Sequence, residues 1–239
     1  MLVRYLVVIS LVVFIISWWN RDNLSSDIVV LNALNQEPVQ VKTNEPEFSV
    51  TVADIDYKVQ PLYDYDLVGL VVSYRHHDGN YGLHRVWGDN LNVSDVCVVW
   101  RDNAFKTPLP RLEFWNGQFT CNVKTSDREA WESFKEDQLS NNHLLTNEPR
   151  IRKILNGMKV GDQIRIRGWL SSYKNGSGGS RGTSVTREDK GNGACETIFV
   201  KHVEVLQSYS SIWRKSMYVS LVVFLLSLIF YFKAPYRVR

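Results

Sequence analysis

Hydrophobic and polar positions divide the chain into three parts. Residues 2–19 are apolar except for Arg4, and residues 216–232 carry no charge. At about 1.5 Å of rise per residue, runs of this length reach roughly 26 Å, close to the thickness of a bilayer's hydrocarbon core. A core helix of a soluble domain keeps a polar side, whereas residues 216–232 are apolar on every face. Both are therefore expected to be transmembrane helices. Trp18 and Trp19 end the first run, and Trp213 and Tyr218 flank the second, as aromatic side chains do at membrane interfaces. A secretory signal would end in small residues at a cleavage site, so the first run is expected to remain as an anchor.

Between these runs the pattern is mostly that of strands. Residues 21–46 are largely polar with two Glu-Pro pairs, which predicts a stalk or loosely attached lead-in. Alternation over 47–52 and the apolar runs at 66–74 and 95–100 predict three strands. Residues 111–123 split at Asn116-Gly117, a strong hairpin signal. Ser126 and Glu129 form a capping-box pattern ahead of a helix over roughly 126–139. A second helix over 147–157 has Pro149 in its first turn, Gly157 at its exit and Ile151, Ile154 and Leu155 on one face. The strand pattern returns at 160–173, 183–187 and 195–206. Strands segregated from two amphipathic helices predict an α+β domain with a C-terminal antiparallel meander. The glycine-rich pattern of that meander suits an OB-like or SH3-like barrel, and equally any three-stranded meander. The expected organisation is an anchor over 1–20, a stalk over 21–46, an α+β domain over 47–212, and a second anchor with a basic tail over 213–239.

Charge alters the picture of partners. The net charge of +3 comes from the flanks: residues 1–21 and 213–239 hold seven of the 28 Lys and Arg and none of the 25 Asp and Glu. The centre is left with 21 basic against 25 acidic residues, a net of −4. An acidic domain has no long-range attraction for phosphates, so nucleic acid is not an expected partner. Arg4, Lys233, Arg237 and Arg239 lie on the terminal side of the spans, against Arg21, Arg214 and Lys215 on the central side. This bias predicts cytoplasmic termini and a periplasmic central domain in a two-pass inner-membrane protein. Cys97, Cys121 and Cys195 include no CxxC pair; two of them can form a disulfide, and the sequence does not select which.

Several segments together resemble an uncharacterised family of bacterial membrane-anchored proteins. They are the strand from Asp95 to Trp100, the Ser140-Asn141-Asn142-His143-Leu144 segment, Gly161-Asp162 through Gly168, and Ser184, Arg187, Asp189, Gly191 and Gly193-Ala194-Cys195-Glu196. The likeness spans roughly residues 57–206 and implies one bacterial envelope domain, with no activity, cofactor or catalytic residue attached. After Trp100 the family pattern has glycine, where this chain has Arg101.

The densest candidate chemistry is Arg75-His76-His77-Asp78, followed by His84, Arg85 and Asp89. Imidazoles with a carboxylate can bind zinc or relay protons. Neighbours on an extended chain face opposite ways, so His76 and His77 need a turn between them to act together. Asn142 and His143 follow the first predicted helix, where amide and imidazole groups would satisfy its free carbonyls. Arg187 and Asp189 among glycines predict a locked turn. His76, His77, Asp78, His84, Arg85, Asn142, His143, Arg187 and Asp189 are thus the candidate partner or ligand surface. No P-loop, dinucleotide fingerprint or nucleophile elbow occurs, and no cofactor is expected. The sequence favours a non-enzymatic envelope scaffold or binding module, working with a membrane protein or a second copy. Its rivals are a metal-dependent hydrolase on His76, His77, Asp78 and His84, and a glycan- or lipid-headgroup-binding domain.

Overall fold

The computed structural model describes residues 2–79, 81–176, 178–186 and 195–233. It divides into two compact units, one formed by residues 1–25 and 210–239, the other by residues 26–209.

The first unit is a helix pair, α1 (Leu2–Asn20) and α6 (Ile212–Lys233). Both are long and apolar enough to cross a membrane. Arg214 donates to Asp22 at 2.9 Å, while the Arg4 guanidinium lies 5.7 Å from the Tyr231 ring centre, so the helices run antiparallel. Ser10, Ser17, Ser220 and Ser227 are buried in this unit. Small side chains let helix backbones approach closely, and these four recur at a seven-residue spacing on each helix.

The central unit is built on β1 (Val39–Lys42), β2 (Phe48–Val52), β3 (Ile55–His76), β4 (Asn92–Val99), a hairpin of β5 (Glu113–Asn116) and β6 (Cys121–Lys124), β7 (Leu139–Leu145), β8 (Gln163–Asn175), β9 (Ser180–Arg181) and β10 (Cys195–Gln207). Its helices are α2 (Gly82–Trp87), α3 (Arg101–Phe105), α4 (Arg128–Ser133) and α5 (Pro149–Gly157). Mixed α and β elements around one large sheet match the expected α+β class.

The pairings close on themselves: β3 pairs with β4, β4 with β7, β7 with β10, β10 with β8, and β8 returns to β3. All are antiparallel except β7 with β10. The 22-residue β3 makes closure possible, since residues 57–70 pair with β8 and 70–76 with β4. A strand this long has to bend, and its register shifts between Pro61 and Tyr63 and between Val71 and Ser73. Proline donates no ladder hydrogen bond, which suits Pro61 to the first irregularity.

Alternation fills the ring. Ile164, Ile166 and Leu170 of β8, Val96 and Val98 of β4, and Ile198 and Val200 of β10 form the core with Leu144 and Trp100. A register shift between Val200 and His202 restores the inward face at Val203. Ile151 and Leu155 of α5 join this core, with Ile154 packed against it. Between Ile166 and Leu170 stands Gly168, where an added Cβ would lie 2.1 Å from the Phe199 carbonyl oxygen.

Several local expectations are corrected. Residues 26–46 are attached to the central unit: β1 pairs with β3, Leu34 is fully buried, and Gln163 binds the backbone of Val29 and Leu31. The helix predicted over 126–139 is only α4 plus a 3-10 turn at Glu136–Gln138. Asp127, not Ser126, caps α4, accepting from the Ala130 amide at 3.1 Å. The β5–β6 hairpin is present, but four residues turn it, with Gly117 N–H bound to the Thr120 carbonyl. No strand occupies 183–186, the described part of the one expected at 183–187.

Gly168→Ala should cost about 1–3 kcal/mol, because backbone opposes the new methyl and has to move. A lowered urea midpoint in the detergent-solubilised full chain is the expected reading.

Candidate functional site

On β4, Val96 and Val98 face the core, which turns Asp95 and Cys97 to the other side of the sheet. The register sets Asp95 beside His143 of β7, and His143 beside Thr197 of β10. Cys97 stands beside Asn141, and Asn141 beside Cys195. This outer face of β4, β7 and β10 is thus polar, yet Asp95, Asn141, His143 and Thr197 are all buried.

The β5–β6 hairpin roofs it. Cys97 and Cys121 form a disulfide that joins β4 to β6. Ser73 and Asn116 share a short hydrogen bond, and Asn116 also donates to the Asp95 carbonyl at 3.3 Å. At the hairpin tip Phe119 takes φ +61°, and its carbonyl accepts from Asn141 at 3.0 Å and from the Cys195 thiol at 3.4 Å. Its ring stacks on Trp87 at 5.4 Å and meets His84 and His143 edge-on at 5.2 and 6.1 Å. The Arg181 guanidinium lies 4.0 Å from the Phe119 ring centre.

Beneath the roof lies a network of carboxylates and imidazoles. Asp95 Oδ1 accepts from His143 Nδ1 at 2.5 Å and from Asn92 Nδ2 at 2.9 Å. Its Oδ2 stands 3.1 Å from His77 Nε2. That distance is a close ion-pair contact, but neither atom completes a well-aligned hydrogen bond. His84 Nδ1 lies 3.0 Å from Asp89 Oδ2, and the Tyr173 hydroxyl donates to Asp89 Oδ1 at 2.8 Å. The His77 and His84 rings stack with centres 3.8 Å apart. The side chains of His77 and His84 are each 6 % exposed and that of Asp95 1 %, so bulk water screens little here.

The carboxyls are held ionised. Burial pushes Asp95 up, but the contacts from His143 and His77 outweigh it and set the group far below the usual carboxylate range. Asp89 follows the same logic, with burial opposed by His84 and Tyr173 and a net fall. Burial takes His143 below its ordinary value despite Asp95 beside it, and takes Tyr173 well above. An ionised carboxylate only accepts, so His84 and His143 each donate from Nδ1.

Of the residues singled out in the sequence, His77, His84 and His143 converge here. His76 points elsewhere: it is exposed, rests near the Tyr74 ring and contacts the Ser94 hydroxyl at 3.1 Å. Asp78 and Arg85 are exposed. Asn142 and His143 do not cap a helix; both lie in the middle of β7. Asn142 is buried and donates to the Val96 carbonyl at 3.1 Å and the Ser140 hydroxyl at 2.8 Å. Arg187 and Asp189 lie outside the described residues. Asp95, which sequence reasoning passed over, is the centre of the network. Its signal was a carboxylate leading the apolar run Val96-Cys97-Val98-Val99.

A cavity of about 60 Å³ adjoins the network, lined among others by His76, His77, Gly79, Tyr81, His84 and Gln118. No protein-family model matches the chain, and no curated protein or solved structure matches it.

Replacing Cys97 and Cys121 together by serine should loosen the roof. The crosslink closes a loop of 24 residues, for which chain entropy gives about 3 kcal/mol of stability. Faster amide exchange around Phe119, with β8 and β10 still protected, is the expected pattern.

Proposed function

We propose that this chain is a bacterial envelope binding module, tethered at both ends to the inner membrane, whose central domain lies outside the cytoplasm and engages a membrane-protein partner. The observation that carries the reading is one folded domain flanked by two helices that can each span a bilayer. The Cys97–Cys121 disulfide supports the external placement, because such bonds persist in oxidising compartments. The charge bias of the flanks points the same way.

The domain itself reads as an OB-like barrel. Five strands close in the order β3-β4-β7-β10-β8, β7 and β10 are parallel, and α5 lies between β7 and β8. OB folds take ligands on the face of their second and third strands and on neighbouring loops. Here that face is β4 and β7, and the loop after β3 carries α2. By analogy of fold alone, partner recognition belongs at this end of the domain. Tyr81 and Val86, at 80 % and 76 % exposure, stand there with Leu83 and Trp87 as an apolar surface. Exposed aromatic and aliphatic side chains grouped this way suit a protein interface. The network's two ionised carboxyls and the domain's net negative charge argue against nucleic acid.

Two measurements test this. With Cys195 replaced by serine, Glu45→Cys should react with a membrane-impermeant maleimide in intact spheroplasts, and Arg237→Cys only after lysis; the reverse result would put the domain in the cytoplasm. A photo-crosslinking residue at Tyr81 or Val86 should trap one discrete membrane protein in native membranes. Absence of any adduct at both positions would remove the partner surface from α2.

A further inference from the structure

The geometry points to a divalent transition-metal site formed by His77 Nε2, His84 Nε2 and Asp95 Oδ2. These three residues offer ligand atoms that all lie within 4.8 Å of one another. In the same three residues, His77 Nε2, His84 Nε2 and Asp95 Oδ2 are buried and complete no well-aligned hydrogen bond. Leaving a buried polar atom unsatisfied costs about 1–3 kcal/mol, more when it is charged. His77 Nε2 and Asp95 Oδ2 meet only as an ion-pair contact and His84 Nε2 completes no hydrogen bond, so a cation bound by all three would satisfy them. A tetrahedral ion with bonds of about 2.0–2.1 Å sets its ligands roughly 3.3 Å apart. His77 and Asp95 already stand at 3.1 Å, and the His84 ring, stacked on His77, would have to turn for its Nε2 to join them.

The surrounding groups are those that metal ligands need. His84 gives its Nδ1 proton to Asp89, and Tyr173 fixes Asp89 from the other side. Such carboxylate–histidine pairs hold the ring and leave Nε2 for the ion. His143 and Asn92 occupy Asp95 Oδ1 and leave Oδ2 for it. Two buried carboxylates make the pocket attractive to a cation and hostile to an anion. Two imidazoles and one carboxylate favour zinc, iron(II), cobalt or nickel over calcium or magnesium, which take mainly oxygen ligands. The cavity beside His77 and His84 leaves a fourth position open to water or an external ligand, unlike the closed shell of a structural zinc. The set differs from the sequence-based one by including Asp95 and excluding His76 and Asp78.

The test uses the full chain in mild detergent, stripped with a chelator and then titrated. Co²⁺ should bind one equivalent with visible absorption bands of a four- or five-coordinate site. One equivalent of Zn²⁺ should displace it, and millimolar Mg²⁺ should not. His84→Gln and Asp95→Asn should each weaken Zn²⁺ binding at least 100-fold. Asp89→Asn should weaken it by 10–100-fold, and His202→Gln, at a half-exposed histidine outside the network, should leave it unchanged. Zn²⁺ should raise the melting temperature of the wild type and leave that of His84→Gln where it was. Substoichiometric binding by the wild type, or His84→Gln binding as tightly as wild type, would overturn the site. Topology labelling is unaffected by either outcome, so the two proposals fail independently.

Discussion

The carboxylate of Asp95 is the constraint around which the central domain is arranged. Its side chain is 1 % exposed in a β4 buried on both faces, and no strand can satisfy such a group alone. Partners come from three places: His143 across the sheet, Asn92 at the start of β4, and His77 just after β3. The same contact fixes register. A slip of one residue between β4 and β7 would turn Asp95 into the hydrophobic ring and bring Val96 out against His143. Solvating one charge internally and packing the hydrophobic core are therefore one requirement.

The roof follows from the floor. A polar face open to water would need no imidazole partners, since solvent would satisfy it. Covering the face with the β5–β6 hairpin removes that water, so each polar group beneath needs a partner within the protein. The disulfide at Cys97, the Ser73–Asn116 hydrogen bond and the Phe119 carbonyl bonds hold the hairpin down at three points. Phe119 sits against His84, His143 and Arg181 and excludes solvent, so the ionised carboxylates beneath it act over a short range in a low dielectric. Interactions in such a space are strong whether they serve stability or a bound ion.

This separation explains what could be read in the sequence. Spans, apolar strands and α5 declare themselves because one physical demand, burial in lipid or in a core, writes one periodicity. β7 fails that rule. Its Ser140-Asn141-Asn142-His143 segment looks like loop, since propensity assumes that a central strand is apolar on both faces, and here one face meets a buried polar network. His84 and Asp89 are five residues apart and were visible as a local cluster. Asp95 and His143 are 48 apart and meet only through strand pairing. The lead-in misled for a different reason: polar composition describes its exposed side, while Leu34 and β1 carry its attachment.

The helix pair bears on where partners can act. Ser10 and Ser17 on α1 and Ser220 and Ser227 on α6 are buried within their own unit. The small-residue stripes that would permit close approach by a second copy are thus already used within the chain. What remains exposed on the two helices is mainly aliphatic and aromatic side chains, which lipid would solvate as well as protein does. A hydrophobic drive for association exists only where apolar surface meets water. On that ground the proposed function places partner specificity in the central domain, whose Tyr81–Trp87 surface is apolar, and leaves tethering to the helices.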